Sequence, residues 1–325
     1  IKMVEVSIIM VNYNGLKWLR KSLPSLFRQS FKDFEVIVVD NASTDGSVEF
    51  IKKNYPQVKV IKLDKNYGFA KANNIGLRYA DGKYLVLLNN DTEVLNGWLE
   101  NLVKSAKNKP EYKLLASVQL PDQSGNKTRD LMVYFGPSIY NPKVNCENNV
   151  IDSLFASGAC FLIRREWLKE VDYLFDEHYF MAAEDLDLSL RTIFLGGKVG
   201  YVMDSKLIHY TGGSSKAVRA KITKLAIRNE LLTAYKLLST RNFIKILLTK
   251  IFYLVARNII KANEFRINLA MIRGFLEFFT NFPSYTKYRV DFARKKRMDD
   301  DVVFKSLKYK SRIQKILYKW LNSGL

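Results

Sequence analysis

Val6-Ser7-Ile8-Ile9-Met10-Val11-Asn12-Tyr13-Asn14-Gly15 is an almost unbroken apolar run that stops abruptly at small polar residues. A run that short, bounded by turn formers, reads as a strand covered on both faces. The pattern then repeats. A helical spacing carrying Trp18, Leu19, Leu23 and Leu26 leads to a second apolar run, 34–39, which ends at Asp40. Residues 58–63 read as a third strand, 70–80 as a helix after Gly68, and 84–88 as a strand ending at Asn89-Asn90-Asp91. Short strands alternating with helices predict an α/β fold, a Rossmann-like, mostly parallel sheet flanked by helices. Ligands of such sheets bind beyond the carboxyl ends of the strands. Asn12, Asp40 and Asp91 all fall there.

Composition narrows the partners. The chain has 325 residues, 48% hydrophobic and 13% aromatic, enough apolar side chain to exclude wholesale disorder. Two cysteines, Cys146 and Cys160, are too few for a disulfide framework and fit a reducing, cytoplasmic setting. The opening Ile1-Lys2-Met3 runs straight into the strand pattern, so no signal peptide is expected. The longest apolar candidate, 243–260, is interrupted by Lys245, Lys250 and Arg257, so no membrane span is expected either.

The charge is unevenly placed. Fifty-two basic and 32 acidic side chains give a net +20. Residues 1–212 hold 27 basic and 25 acidic, net +2, while 213–325 hold 25 and 7, net +18. Two parts are therefore expected, 1–214 and 215–325, joined near the Gly212-Gly213-Ser214-Ser215 turn. The second part reads as a basic helical C-terminal region, with Phe-, Ile- and Leu-rich helices over 243–260 and 265–282. Lys308, Arg312, Lys315 and Lys319 fall on one stripe of a last helix, and Ile313, Ile316, Leu317 and Trp320 on the other. That amphipathicity, with the Arg294-Lys295-Lys296-Arg297 cluster, suits an anionic membrane surface. The same stripe also suits a homo-oligomer interface. No nucleic-acid recognition motif accompanies the charge, so specific nucleic acid is not an expected partner.

Three constellations carry chemistry. Asn89-Asn90-Asp91-Thr92, at a strand end, is placed to hold a divalent cation through oxygen, and is equally good turn chemistry. Glu184-Asp185-Leu186-Asp187 with Arg191 reads as a helix start, where negative charge is favoured and Asp187 can pair with Arg191. A carboxylate there can also act as a general base toward a hydroxyl. His209 precedes the Gly-Gly junction; His178, in an aromatic stretch, is given no chemistry.

In order along the chain, Ser7 to Asn14, Val38-Val39-Asp40-Asn41-Ala42-Ser43-Thr44-Asp45-Gly46-Ser47, Asn66-Tyr67-Gly68-Phe69-Ala70, Leu88 to Thr92, Gly158-Ala159-Cys160, Glu184-Asp185-Leu186-Asp187 and His209 resemble family 2 glycosyltransferases. The resemblance covers about 5–215 and is nearest to the rhamnosyltransferase-like branch. It implies a GT-A fold and inverting transfer from a nucleoside-diphosphate sugar, dTDP- or UDP-linked, to a polysaccharide or lipid-linked glycan. It implies that Asp40 and Asn12-Tyr13 line the nucleotide pocket with Asn66, Asn89 and Asn90. It further implies that Asp91 and His209 hold Mn²⁺ or Mg²⁺, that Asp185 is the base, and that Glu184 contacts the acceptor. The family's Asp-x-Asp metal motif begins here with Asn89, so metal binding rests on Asp91 and His209. The expected location is cytoplasmic, peripheral on the inner face of the cell membrane. Two further classes remain open from the residues, a GT-A-like nucleotidyltransferase and a nucleic-acid-binding protein.

Overall fold

The computed structural model describes residues 4–120, 149–210, 216–260 and 263–300. The Gly212–Ser215 junction, Cys146 and the amphipathic helix expected over 308–320 lie outside them.

The apolar runs form the strands expected of them. Strand β1 (Val6–Asn12), helix α1 (Leu16–Phe27), β2 (Phe34–Asp40), α2 (Ser47–Asn54), β3 (Lys59–Lys62), α3 (Gly68–Leu77) and β4 (Tyr84–Leu88) follow in alternation. Then come β5 (Thr92–Val94), α4 (Trp98–Asn108), β6 (Tyr112–Leu120), β7 (Val150–Asp152), β8 (Cys160–Arg164), α5 (Glu184–Phe194) and β9 (Lys198–His209). The sheet order is β3-β2-β1-β4-β8-β6-β9-β5, with β7 on β9. The segment β3-β2-β1-β4 is parallel throughout, and β6 is parallel to β9. Strand β8 inserts antiparallel between β4 and β6. The register puts Asn12 beside Asp40 and Leu88 beside Cys160, which aligns the polar residues at one end of the sheet.

Two apolar layers cover the sheet. One joins Ile8, Met10, Val38 and Val86 to Leu19, Leu23 and Trp98 of α1 and α4. The other joins Ile9, Ile37, Leu85 and Leu87 to Ala72, Leu186 and Leu190 of α3 and α5. Helix α3 starts two residues before the expected 70 and ends at Leu77. Its first turn begins at Gly68, whose φ of +84° only glycine adopts freely. The backbone amides of Phe69 and Ala70 then find an acceptor in the Phe180 carbonyl.

The C-terminal region consists, in the described residues, of α6 (Lys216–Leu237), α7 (Thr240–Ile260), α8 (Phe265–Asn281) and α9 (Thr286–Lys295). No helix among the described residues is long and apolar enough to cross a membrane. Helices α6, α7 and α9 share the core of the sheet: Ala234, Leu237, Leu238, Ile246 and Phe292 pack with Leu174 and Phe194. The Arg294–Arg297 cluster is not free. Arg294 faces Asp291 (3.5 Å), Lys295 meets Asp172 (2.7 Å), Lys296 meets Asp300, and Arg297 meets Glu170 (3.0 Å). Two of those partners, Asp172 and Glu170, belong to the sheet-bearing part, so much of the cluster anchors α9.

Candidate active site

The site is built from three strand ends and the start of one helix. At the first, the fully buried Asn12 donates from Nδ2 to Asp40 Oδ1 (2.9 Å) and Ser43 Oγ (3.1 Å), and accepts on Oδ1 from Asn90 Nδ2 (2.8 Å). The other Asp40 oxygen accepts from the Ser43 amide (2.9 Å). Asp40 is 0% exposed, so its carboxylate also organises the 41–46 loop from below. Gly15 is required here, because a Cβ would stand 2.2 Å from Asn90 Nδ2. Above this layer Tyr13 is exposed. Asn41, which sequence reasoning left unassigned, accepts from the Tyr67 amide and donates to the Gly68 carbonyl (both 3.2 Å), tying the β2 end to α3. Exposed Asn66 accepts from the Gly68 amide (2.9 Å) and shapes that turn.

The second strand end carries the pair expected to hold a cation. Thr92 of β5 sits opposite His209 of β9. That register brings Asp91 Oδ1 to 3.1 Å from His209 Nε2, with His209 Nδ1 3.2 Å from Gln119 Oε1. Both side chains are partly exposed. Among the described residues there is no group of three or more His, Cys, Asp or Glu that would enclose a metal. One carboxylate and one imidazole fit a cation whose other ligands are substrate phosphates and water. Asn89 lies beside them with its side-chain oxygen buried and unpartnered.

The third piece is α5. Ala183, in the left-handed region (φ 65°), starts the helix, and Glu184, Asp185 and Asp187 fill its first turn. Asp185 accepts from the Gly158 amide on Oδ2 (2.7 Å) and from the Leu186 amide on Oδ1 (2.9 Å). Glu184 Oε2 is buried without a partner. Burial, then the neighbouring Asp185 charge, pushes the Glu184 carboxyl well above the usual range. Burial raises Asp185 as well, and the Gly158 and Leu186 amides hold it lower than its neighbour. The pair therefore takes up one proton readily, leaving Asp185 the carboxylate that ionises first.

One short link joins the pieces. The Asn89 amide donates to the Ala159 carbonyl (2.9 Å), and the adjoining Gly158 amide holds Asp185. The end of β4 and the start of α5 are thus separated by a single turn, with Gly158 too close to Asp185 Oδ2 (3.0 Å from a would-be Cβ) for a side chain to relax easily.

Helix α6 supports this arrangement, and only the folded chain shows it. Phe180, Ala182 and Ala183 have φ of 61°, 71° and 65°, costly values for residues with a Cβ. Asn229 Nδ2 faces the carbonyls of Tyr179 (3.0 Å), Met181 (3.1 Å) and Ala182 (2.7 Å) and holds that loop. Deeper, buried Lys236 meets Asp187 (2.7 Å) and Asp176 (3.0 Å), and Asp187 pairs with Arg191 (2.8 Å), as their spacing predicts.

A Glycosyl transferase family 2 model matches residues 7–172, just over half of the chain. The chain belongs to that family. Among related glycosyltransferases, the O-antigen biosynthesis protein RfbC of Myxococcus xanthus is 27% identical over 228 residues, 66% of this chain and 18% of that protein. A glycosyltransferase of Methanocaldococcus jannaschii is 28% identical over 194 residues, 58% of this chain and 64% of that one. The chain thus spans less than two thirds of either relative. In fold it is similar to S. aureus TarS in complex with UDP-GlcNAc (TM-score 0.57, 17% identity, 97% of this chain and 86% of that one). It is also similar to GalNAc-T7 with UDP, GalNAc and Mn²⁺ (TM-score 0.57, 20% identity, 72% and 48%). These family 2 and GT-A likenesses agree with a mixed α/β glycosyltransferase fold carrying a helical C-terminal region.

Proposed function

We propose that the protein is an inverting glycosyltransferase that moves a sugar, with rhamnose as a candidate, from a dTDP- or UDP-linked donor to a hydroxyl of a polysaccharide or lipid-linked glycan. The observation that carries this is the Asn89–Ala159 and Gly158–Asp185 link, which sets one ionisable carboxylate a single turn from the strand ends. Asn12, Tyr13 and Asp40, with Asn66, Asn89 and Asn90, frame the nucleoside diphosphate. Asp185 takes the proton from the acceptor hydroxyl. The acceptor oxygen bonds to the anomeric carbon as the bond to the diphosphate oxygen breaks. One displacement inverts that carbon, and no covalent enzyme intermediate is needed. Glu184, whose carboxyl is pushed upward by burial and by the Asp185 charge, contacts the acceptor. Mn²⁺ or Mg²⁺ held by Asp91 and His209 would supply charge neutralisation at the leaving diphosphate.

The glycan acceptor draws support from the O-antigen protein among the relatives, and the donor class from the UDP complexes among the structural neighbours. The basic C-terminal region, with net +18, favours peripheral placement on an anionic membrane, the inner face of the cell membrane in this proposal. Thermal unfolding with UDP and dTDP, with and without Mn²⁺, tests the donor side. Stabilisation of about 2.7 kcal/mol at a hundredfold excess over Kd is expected for one of them. No shift with either nucleotide contradicts the proposal. Release of pyrophosphate, in place of nucleoside diphosphate, during turnover would point to a nucleotidyltransferase.

A further inference from the structure

Helices α7 and α8 turn two different faces to their surroundings. On α7, Ile246 and Lys250 are buried, whereas Ile244, Leu248, Ile251, Val255 and Ile259 are exposed, the last by 74%. Those exposed positions recur at intervals of three and four, so they form one stripe along the helix. On α8 the buried side is Ala270, Met271, Gly274 and Phe278, and the exposed side is Phe265, Ile272, Leu276 and Phe279. The inward side of α8 is locked against α6, because a Cβ on Gly274 would lie 2.3 Å from the Lys224 carbonyl. The α8 stripe is therefore held outward, as is that of α7, whose buried Lys250 pairs with Glu230 of α6.

Their charge setting is one-sided. Helix α7 has no acidic residue, and α8 has only Glu277, which pairs with Lys224 (2.7 Å) and Arg228 (3.7 Å). Arg266 and Arg273, seven residues apart and both exposed, flank the α8 stripe and pair with no carboxylate among the described residues. Exposed apolar side chains rimmed by arginines, without free carboxylates, match an anionic lipid surface. They do not match a second copy of the chain, which would bring one +18 region against another. Residues 301–325 are a poor cover for the same reason, with six basic and one acidic side chain.

We infer that the outward face of α7 and α8 is the membrane-docking surface, seated on anionic lipid through its apolar stripes with Arg266 and Arg273 at the headgroups. This deepens the membrane placement proposed above, on which it rests. The test uses the full chain and vesicles of phosphatidylcholine with or without phosphatidylglycerol. Wild type is expected to cosediment with the phosphatidylglycerol vesicles only. Val255→Glu with Leu276→Glu, both at exposed positions, is expected to lower that binding at least tenfold with unchanged circular dichroism. Arg266→Glu with Arg273→Glu, a second variant independent of the apolar stripe, is expected to lower it likewise. If wild type binds and both variants bind as tightly, the face is wrong while the membrane placement stands. If wild type binds neither vesicle, both fail. A wild-type dimer in sedimentation that the Val255→Glu, Leu276→Glu variant splits would assign the face to a second copy and overturn the inference.

Discussion

In the proposed mechanism Asp185 owes its basicity to where it sits. A carboxylate buried at a helix start is raised by desolvation, and two backbone amides moderate the rise. As a base it must be ionised, so turnover should fall as pH drops through a pKa pushed up to about 6, above the ordinary carboxylate range. A pH profile of kcat/KM checks this, and an acid limb near pH 4 would contradict it. Gly158→Ala places a methyl group 3.0 Å from Asp185 Oδ2 and must shift the carboxylate by a few tenths of an ångström. Its expected effect is roughly tenfold on kcat with nucleotide affinity unchanged, since small misplacements of a reacting group are costly. At this scale the sequence places Asn12, Asp40 and Asp91 at strand ends, Glu184 and Asp185 at a helix start and His209 before the Gly-Gly junction, and the fold has them in those positions. Asn41 and Gly158, present in the quoted motifs, and Asn229 carry no role there, because they act through backbone groups that only the folded chain brings within reach.

The α3 start, the 179–183 loop and α6 depend on one another. Phe180 offers its carbonyl to the first amides of α3, and Asn229 of α6 faces three carbonyls around it. Gly68→Ala would force a Cβ to 2.5 Å from that Phe180 carbonyl at a positive φ, where alanine is strained. A loss of at least ~1 kcal/mol in denaturant unfolding is expected, accompanied by lower kcat because the loop leads directly into Glu184. The positions of β1 to β4, α3, α7 and α8 followed from periodicity, with edges moved by up to three residues. The run 243–260 gave its helix correctly, and what it packs against was invisible to periodicity.

Across the whole molecule the uneven charge takes on a structural meaning. Net +18 marks the last third as a second part of the sequence, and α6 and α9 of that part contribute side chains to the sheet's own core. Lys236 carries one of those positive charges into the interior, where two carboxylates receive it. Its desolvation lowers and the Asp187 and Asp176 charges raise its pKa, with the attraction prevailing. Lys236→Ala takes that cation from buried Asp176 and leaves Asp187 to Arg191 alone, and a loss of about 3–5 kcal/mol is expected in equilibrium unfolding. The shared core also predicts a single cooperative transition by far- and near-ultraviolet circular dichroism, whereas two separated transitions would indicate independent parts. No sequence pattern distinguishes a lysine facing solvent from one buried beneath α5, so the Lys236 contacts are visible only in the folded chain.

The central claim is that Asp185, set beside a nucleotide-binding sheet edge, deprotonates the acceptor. The measurement that tests it is nucleoside diphosphate release by Asp185→Asn against wild type, with UDP- or dTDP-sugar and acceptor, alongside nucleotide binding by calorimetry. Release is expected to fall about 10²–10⁴-fold with nucleotide affinity retained. Full turnover in Asp185→Asn would contradict it.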